Sequence, residues 1–188
     1  MSEEPGSDGW LAEADRLDVA VYAAIAATPT PRLDVAMSRL SRAADYSKIS
    51  LSAAALLAAG GGRPGRRAAL SGLGSVAATA TLVNLVLKRS GRRRPDPAEV
   101  DVPLARRVRM PRSTSFPSGH AAAAFAFATG VGHVLPRPAA PLHVLAALVG
   151  YSRVHTGVHY PSDAIAGAVV GTAVAQLSVG ALDSLSGT

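Results

Sequence analysis

The sequence predicts an all-α fold: an integral-membrane helical bundle of five or six helices, with amphipathic helices at its N-terminus. Three observations carry this. Apolar residues make up 48% of the chain but aromatics only 4%, so alanine and glycine supply much of the apolar count. Small side chains suit helices packed closely in lipid better than a thick water-soluble core. No acidic residue occurs between Asp45 and Asp96 or between Asp101 and Asp163, whereas a soluble helix carries charges along its wet face. No stretch alternates apolar and polar residues as a half-buried strand does. A soluble alanine-rich bundle is the competing reading, and the long uncharged stretches count against it.

The elements follow in order. Residues 1–9, with Glu3, Glu4 and Asp8, read as a disordered acidic leader rather than a signal peptide, which would begin with basic residues. From Trp10 to Thr28 apolar residues alternate with Glu13, Asp15, Arg16 and Asp18, and Thr28-Pro29-Thr30-Pro31 ends that helix. A second amphipathic stretch, Leu33 to Tyr46, carries Arg39, Arg42 and Asp45. Both are expected to lie at the membrane surface or on the rim of the bundle. They form an N-terminal unit, 10–47, ahead of a transmembrane core, 48–184.

Within that core the apolar segments are Ile49–Gly61, Ala68–Leu87, His120–Leu135, Ala139–Ser152 and Ser162–Leu182. Ala68–Leu87 has the roughly 20 residues that a span needs. Gly60 to Arg67 reads as a basic turn, and Lys88 to Arg112 as a polar loop rich in arginine and proline. Asn84 and Gln176, polar groups within apolar segments, are expected to bond between helices.

The formal charge of +6 could serve nucleic acid, anionic lipid or an anionic substrate. The arginines cluster at the ends of apolar segments and no nucleic-acid-binding motif accompanies them, which favours the bilayer and an anionic substrate over nucleic acid. With no cysteine, disulfides and thiolate metal sites are excluded.

Three polar islands stand at segment ends: Lys88 to Pro95, Pro117-Ser118-Gly119-His120, and Ser152-Arg153 followed by His159 and Asp163. If the apolar segments cross the bilayer in turn, all three emerge on one face. Lys88, Arg94 and Arg153 then offer permanent cations matched to phosphoryl oxygens. Ser118 and Gly119 precede a helix N-terminus, where free N–H groups and the helix dipole favour an anion. His159 can act as nucleophile if its second ring nitrogen is held, and Asp163 is the natural orienting carboxylate. His120 remains as an acid for the departing alkoxide and then a base for water. No acidic cluster of the kind a magnesium site needs is present, so the cations take the metal's place and no cofactor is expected.

These islands resemble the signature motifs of the type-2 phosphatidic acid phosphatase family, which includes membrane lipid phosphatases, bacterial acid phosphatases and vanadium haloperoxidases. The second and third motifs match in full. The first is one residue short: five residues separate Lys88 from Arg94 where the family has six, and counting six back reaches Leu87, which cannot bind phosphate. A one-residue contraction keeps Lys88 in the role. The resemblance implies a metal-independent lipid phosphatase with a phosphohistidine on His159. The Asn84–Lys88 lead-in and the Arg92–Asp96 run are similar to decaprenylphosphoryl-phosphoribose phosphatases. Phosphatidylglycerophosphate, phosphatidate and polyprenyl diphosphates stay open as substrates, as does phosphotransfer to an alcohol.

The remaining basic residues receive blander roles. Arg89, Arg92, Arg93, Arg106, Arg107, Arg109 and Arg112 are expected to meet anionic headgroups. His133 and His143 are expected in core or interface, with His155 at most supporting the third island. Of the nineteen Lys and Arg, only Arg63, Arg66, Arg67 and Arg137 fall on the face away from the islands. The positive-inside rule therefore turns the site toward the cytoplasm of a bacterial cell membrane.

Overall fold

The structure, a computed structural model, describes residues 7–186. Among these are seven α-helices: α1 (Ser7–Ala27), α2 (Pro31–Ala43), α3 (Lys48–Gly60), α4 (Gly62–Leu85), α5 (Gly119–Val134), α6 (Pro136–His155) and α7 (Pro161–Ser186). Two 3-10 turns, Asp45–Ser47 and Leu87–Ser90, complete the regular structure, and no strand occurs among the described residues. The all-α expectation holds. The core has five helices and the two N-terminal amphipathic stretches are helices beside it, in line with the expected bundle. Most of the expected leader lies outside the described residues, and α1 already begins at Ser7.

Two local expectations need correction. The basic stretch after Gly60 is not a long turn. The chain reverses at Gly61, Gly62 takes a φ of +58°, and α4 starts there. Pro64 is tolerated because first-turn N–H groups have no intrahelical acceptor. Arg63, Arg66 and Arg67 therefore project from the exposed first turns of α4. Gly65 presses on the Leu57 carbonyl with no room for a Cβ, which lets α3 and α4 fold back so tightly. Asn84 and Gln176 are both exposed rather than buried between helices, and Asn84 borders a cavity.

α5 is the centre of the bundle, packed against α4, α6 and α7. Its alanine-rich surface lets neighbours approach to backbone contact: Gly171 of α7 rests on the Ala122 carbonyl, where no side chain would fit. Among the described residues two stretches, Gly62–Arg89 and Pro161–Ala181, are long and apolar enough to cross a membrane. Only 28% and 22% of their apolar windows are buried, so most of those side chains point outward, where lipid would lie. Leu70, Ile165, Val169 and Leu177 are among the exposed ones.

The N-terminal helices do more than lie on the rim. α2 turns its polar residues inward, burying Asp34, Ser38 and Ser41, while Val35 is 43% exposed. The reason is the end of α6, against which α2 packs: Arg153 and His155 are buried there and need acceptors.

Arg106 solves a second accounting problem. The last carbonyls of a helix lack intrahelical donors. Arg106 donates from Nη1 to Ile25 O (2.9 Å) and Ala26 O (3.3 Å), from Nη2 to Thr28 O, and from Nε to Asp34 Oδ1 (2.7 Å). Burial alone would raise the Asp34 pKa. Hydrogen bonds from Thr30 and His155 and the Arg106 charge hold it below the usual carboxylate range. Arg106, expected at a headgroup, is fully buried and ties α1 to α2.

Candidate active site

The three islands converge at one end of the bundle. They sit on the end of α4, the loop from Gly91 to Ser118, the start of α5, the end of α6 and the start of α7. Gly91 adopts φ +73°, and residues 92–96 then run without helix or turn. Exposure alternates along these residues. Arg92 and Arg94 accordingly turn inward while Arg93 is exposed.

His159 lies in the short connection between α6 and α7 and is 1% exposed. Arg94 Nη1 donates to its Nε2 at 3.0 Å and to Val158 O at 2.7 Å. A guanidinium cannot accept, so Nε2 carries the lone pair and the ring proton sits on Nδ1. Nδ1 faces Asp163 Oδ2 at 3.3 Å and Ser115 Oγ at 3.4 Å. Burial is the main cause that pushes the His159 pKa down to about 4, with Asp163 opposing and the charges of Arg94 and Arg153 adding to it. The imidazole is thus neutral near pH 7, with its free electron pair on the nitrogen facing the cations.

Asp163 has no exposed surface and every oxygen is held. Oδ2 accepts from the Ser115 hydroxyl and from the Tyr160 amide (2.9 Å), and Oδ1 accepts from Arg92 Nη1 (2.9 Å). Arg92 reaches further: Nη1 donates to Ser162 Oγ (2.7 Å), and Nη2 to Asp18 Oδ2 (2.7 Å) and Asp15 Oδ1 (2.9 Å). Its guanidinium also lies 4.5 Å from the Tyr160 ring centroid. Asp18 in turn accepts from the Ser162 amide at 2.8 Å, at the start of α7. Arg92 was expected at a headgroup; it instead joins α1 to the carboxylate beside His159.

Lys88 and Arg94 converge on one short segment. Lys88 Nζ donates to Ser113 Oγ (2.8 Å), and Arg94 Nε and Nη2 donate to Ser113 O (2.8 Å) and Thr114 O (3.1 Å). The 3-10 turn at Leu87–Ser90 tightens the chain here, and the Lys88 side chain comes alongside Gly119. Arg153 is 2% exposed, with Nη1 donating to Ser41 Oγ at 2.6 Å and its buried Nε without a partner. An unpartnered buried N–H is costly, and a phosphoryl oxygen is the kind of acceptor that would relieve it. His120 Nε2 lies 3.0 Å from Asp45 Oδ1.

Ser118 differs from expectation. Its hydroxyl accepts from the Ala121 amide as the N-cap of α5, and its own N–H donates to Asp163 O at 2.9 Å. Its backbone donor is therefore already used, and Ser118 braces α5 against α7. The amides of Gly119 and His120, in the first turn of α5, have no acceptor within the helix.

Sequence reasoning missed Ser115, Arg92 and Asp45. None of the three carried a local signal in the sequence. Arg89, Arg93, Arg109 and Arg112 are exposed, as headgroup-facing charges would be. Arg107 bonds loop carbonyls of Val102 and Pro97. His143 bridges Thr129 and Ala139, and His155 donates to Asp34 Oδ1 at 3.0 Å. Among the described residues no group of three or more His, Cys, Asp or Glu could hold a metal ion.

One cavity, of about 250 Å³, joins these groups to the bundle interior. Lys88, Arg94, His120 and His159 line its polar end, and Ile49, Ala53, Val83, Phe127, Leu142 and Val149 its apolar part.

The chain is similar to several known proteins. The chain is 35% identical over 127 residues to decaprenylphosphoryl-5-phosphoribose phosphatase of Mycobacterium tuberculosis, a match covering 66% of this chain and 65% of that protein. It is 33% identical over 169 residues to the protein of the same name in Mycolicibacterium smegmatis, covering 89% and 84%. The chain thus spans just under two thirds of the M. tuberculosis relative's length. Among solved structures, it superposes on a transmembrane PAP2-type phosphatidylglycerolphosphate phosphatase of Bacillus subtilis with a TM-score of 0.71 at 25% identity, covering 92% of this chain and 87% of that one. It also superposes on LpxE of Aquifex aeolicus with a TM-score of 0.67 at 26% identity, covering 87% and 94%. The bundle is that of an integral-membrane protein. The PAP2 superfamily profile matches residues 69–184, from α4 through the third island and nearly all of α7, and the chain belongs to that family.

Proposed function

We propose that this protein is a lipid phosphatase that cleaves a phosphate ester at the membrane through a phosphohistidine, without a metal ion. The observation that carries the reading is the cavity, which sets both histidines and two cations against a lining that is otherwise mostly apolar. Its shape and chemistry fit a phosphate headgroup on a hydrocarbon tail.

Lys88, Arg94 and Arg153 hold the phosphoryl oxygens and offset the charge that builds up in transfer. The neutral His159 Nε2 attacks phosphorus as the bond to the lipid oxygen breaks. Asp163 stabilises the imidazolium so formed through Nδ1–H. His120 gives a proton to the leaving oxygen, then takes one from the water that cleaves the P–N bond and releases phosphate. The family match at 69–184 supports the reacting role of that part of the core, and the N-terminal helices brace it.

The decaprenylphosphoryl-5-phosphoribose phosphatases support a polyprenyl-linked phosphate as the favoured substrate. The test is phosphate release from a panel of decaprenylphosphoryl-5-phosphoribose, phosphatidylglycerophosphate, phosphatidate and undecaprenyl diphosphate, with EDTA present. Release from the first at the highest kcat/KM is expected; loss of all activity in EDTA, restored by metal, refutes the metal-free reading. The charge distribution supports a cytoplasmic site. The chain has no cysteine and Leu104 is 79% exposed in the loop on the site's face. A Leu104→Cys protein labelled only from outside intact cells would reverse that orientation.

A further inference from the structure

We infer that Asp45 is the positioning carboxylate of His120, forming a second histidine–carboxylate pair that prepares His120 to protonate the leaving group; this rests on the phosphatase reading above. Asp45 lies outside the family match at 69–184. It reaches the site because the chain between α2 and α3 is bent sharply: Tyr46 and Ser47, neither of them glycine, take φ of +57° and +56°. Two consecutive residues in the left-handed region carry a conformational cost, and such cost persists where surrounding structure fixes it for a purpose. Here it turns Asp45 to His120 while Tyr46 is left 82% exposed.

The contact is direct, 3.0 Å from His120 Nε2 to Asp45 Oδ1. A carboxylate accepts, so the hydrogen sits on Nε2. The charged groups facing His120 come from separate elements: Asp45 from the 3-10 turn at Asp45–Ser47, Arg153 from α6, and Lys88 from the 3-10 turn at Leu87–Ser90. Burial first, then Arg153 and Lys88, oppose an imidazolium and push the His120 pKa down to about 4, and Asp45 is the group that favours the charged form. Asp45 Oδ1 is also 3.7 Å from Arg153 Nη1, so it offsets that charge too. The arrangement parallels His159 with Asp163, except that one pair is built within a single turn and the other spans 75 residues of chain.

In the step concerned, the P–O bond breaks and the P–Nε2 bond to His159 forms. The leaving oxygen keeps the bonding electron pair and takes the proton from Nδ1 of the His120 imidazolium, while Nε2–H stays on Asp45. An alkoxide needs that proton, whereas a nitrophenolate leaves without it. The test is therefore kcat/KM across a series of phosphate monoesters from long-chain alkyl to nitrophenyl, for the wild type, Asp45→Asn, Asp45→Glu and His120→Ala.

Asp45→Asn should lose about 10- to 100-fold more on alkyl than on nitrophenyl esters, a part of the effect of removing a general acid. Asp45→Glu should restore most of the difference. Loss common to all esters reads the contact with Arg153 or the fold. Equal losses across the series, or none, with His120→Ala still selective for alkyl esters, overturn the pairing alone. If His120→Ala is itself unselective, the acid role of His120 falls and the proposal with it. If the wild type cleaves no ester, the phosphatase reading has failed.

Discussion

Replacing Arg92 separates the two roles this residue could have. Its guanidinium holds Asp163 Oδ1 at 2.9 Å and Asp18 Oδ2 at 2.7 Å, and both carboxylates are nearly or fully buried. Its bond to Asp15 involves a side chain that is 65% exposed and contributes at most about 1 kcal/mol. A charge-assisted bond to a buried carboxylate contributes about 1.5–3 kcal/mol, and the Arg92 side chain is 23% exposed, which favours the lower end. Asp163 keeps Ser115, Tyr160 and His159 on its other oxygen, so Arg92→Ala should loosen rather than abolish its hold on the imidazole. If the Asp163 bond is lost from the transition state, kcat falls about 10- to 100-fold, at 1.36 kcal/mol per decade. KM should change little. Arg92→Lys should resemble alanine, since a single ammonium cannot span Asp163 and Asp18 as the fork does. The assay is steady-state phosphate release in mixed micelles, with Asp163→Asn and the double variant beside it. In the Asp163→Asn background, Arg92→Ala should cost less than about 3-fold, because the effect has lost its route. Fully additive losses refute the coupling. A headgroup role predicts the opposite pattern: unchanged kcat and a salt-sensitive KM on anionic vesicles.

Two other outcomes follow from buried charge. The His159 ring, with its pKa held at about 4, should show no protonation by ring-nitrogen NMR between about pH 8 and about pH 5.5, and a midpoint near the ordinary value of about 6.5 refutes its burial as described. The unfolded chain takes up that proton first as pH falls, so this group leaves stability unchanged above about 6.5 and lowers it from there toward about 4. Arg106→Met should destabilise the fold by about 3–5 kcal/mol, since it leaves Asp34 buried beside unpaired carbonyls; a thermal melt in detergent within 1 °C of wild type, read as about the scatter of such assays, would refute that account.

How much of this was legible in the sequence varies by the range of the interaction. The five core helices were readable because apolar runs and their glycine or proline ends are local, and Gly119 to Val134 fell within a residue of its expected limits. His159 and Asp163 were readable because four residues of chain fix their contact. Arg92 and Arg106 were not. Within an arginine-rich loop, composition is the same for a residue that caps a helix and one that faces solvent. What decides is where the loop passes, and Arg106 finds the carbonyls of α1 some eighty residues away in sequence. The inward polar face of α2 was hidden for the same reason: its pattern shows two faces but does not say which one meets Arg153.

The link from α1 to α7 also bears on how the molecule comes together in time. Asp18 and the Ser162 amide are 144 residues apart, and Asp18 and Arg92 are 74 apart. Pairings of such long sequence separation close late, because the intervening chain must first be ordered. α1 thus waits for the start of α7 before Asp18, Arg92 and Ser162 come together. A fragment limited to residues 69–184 would hold every motif of the family and still lack Asp18 and Asp45.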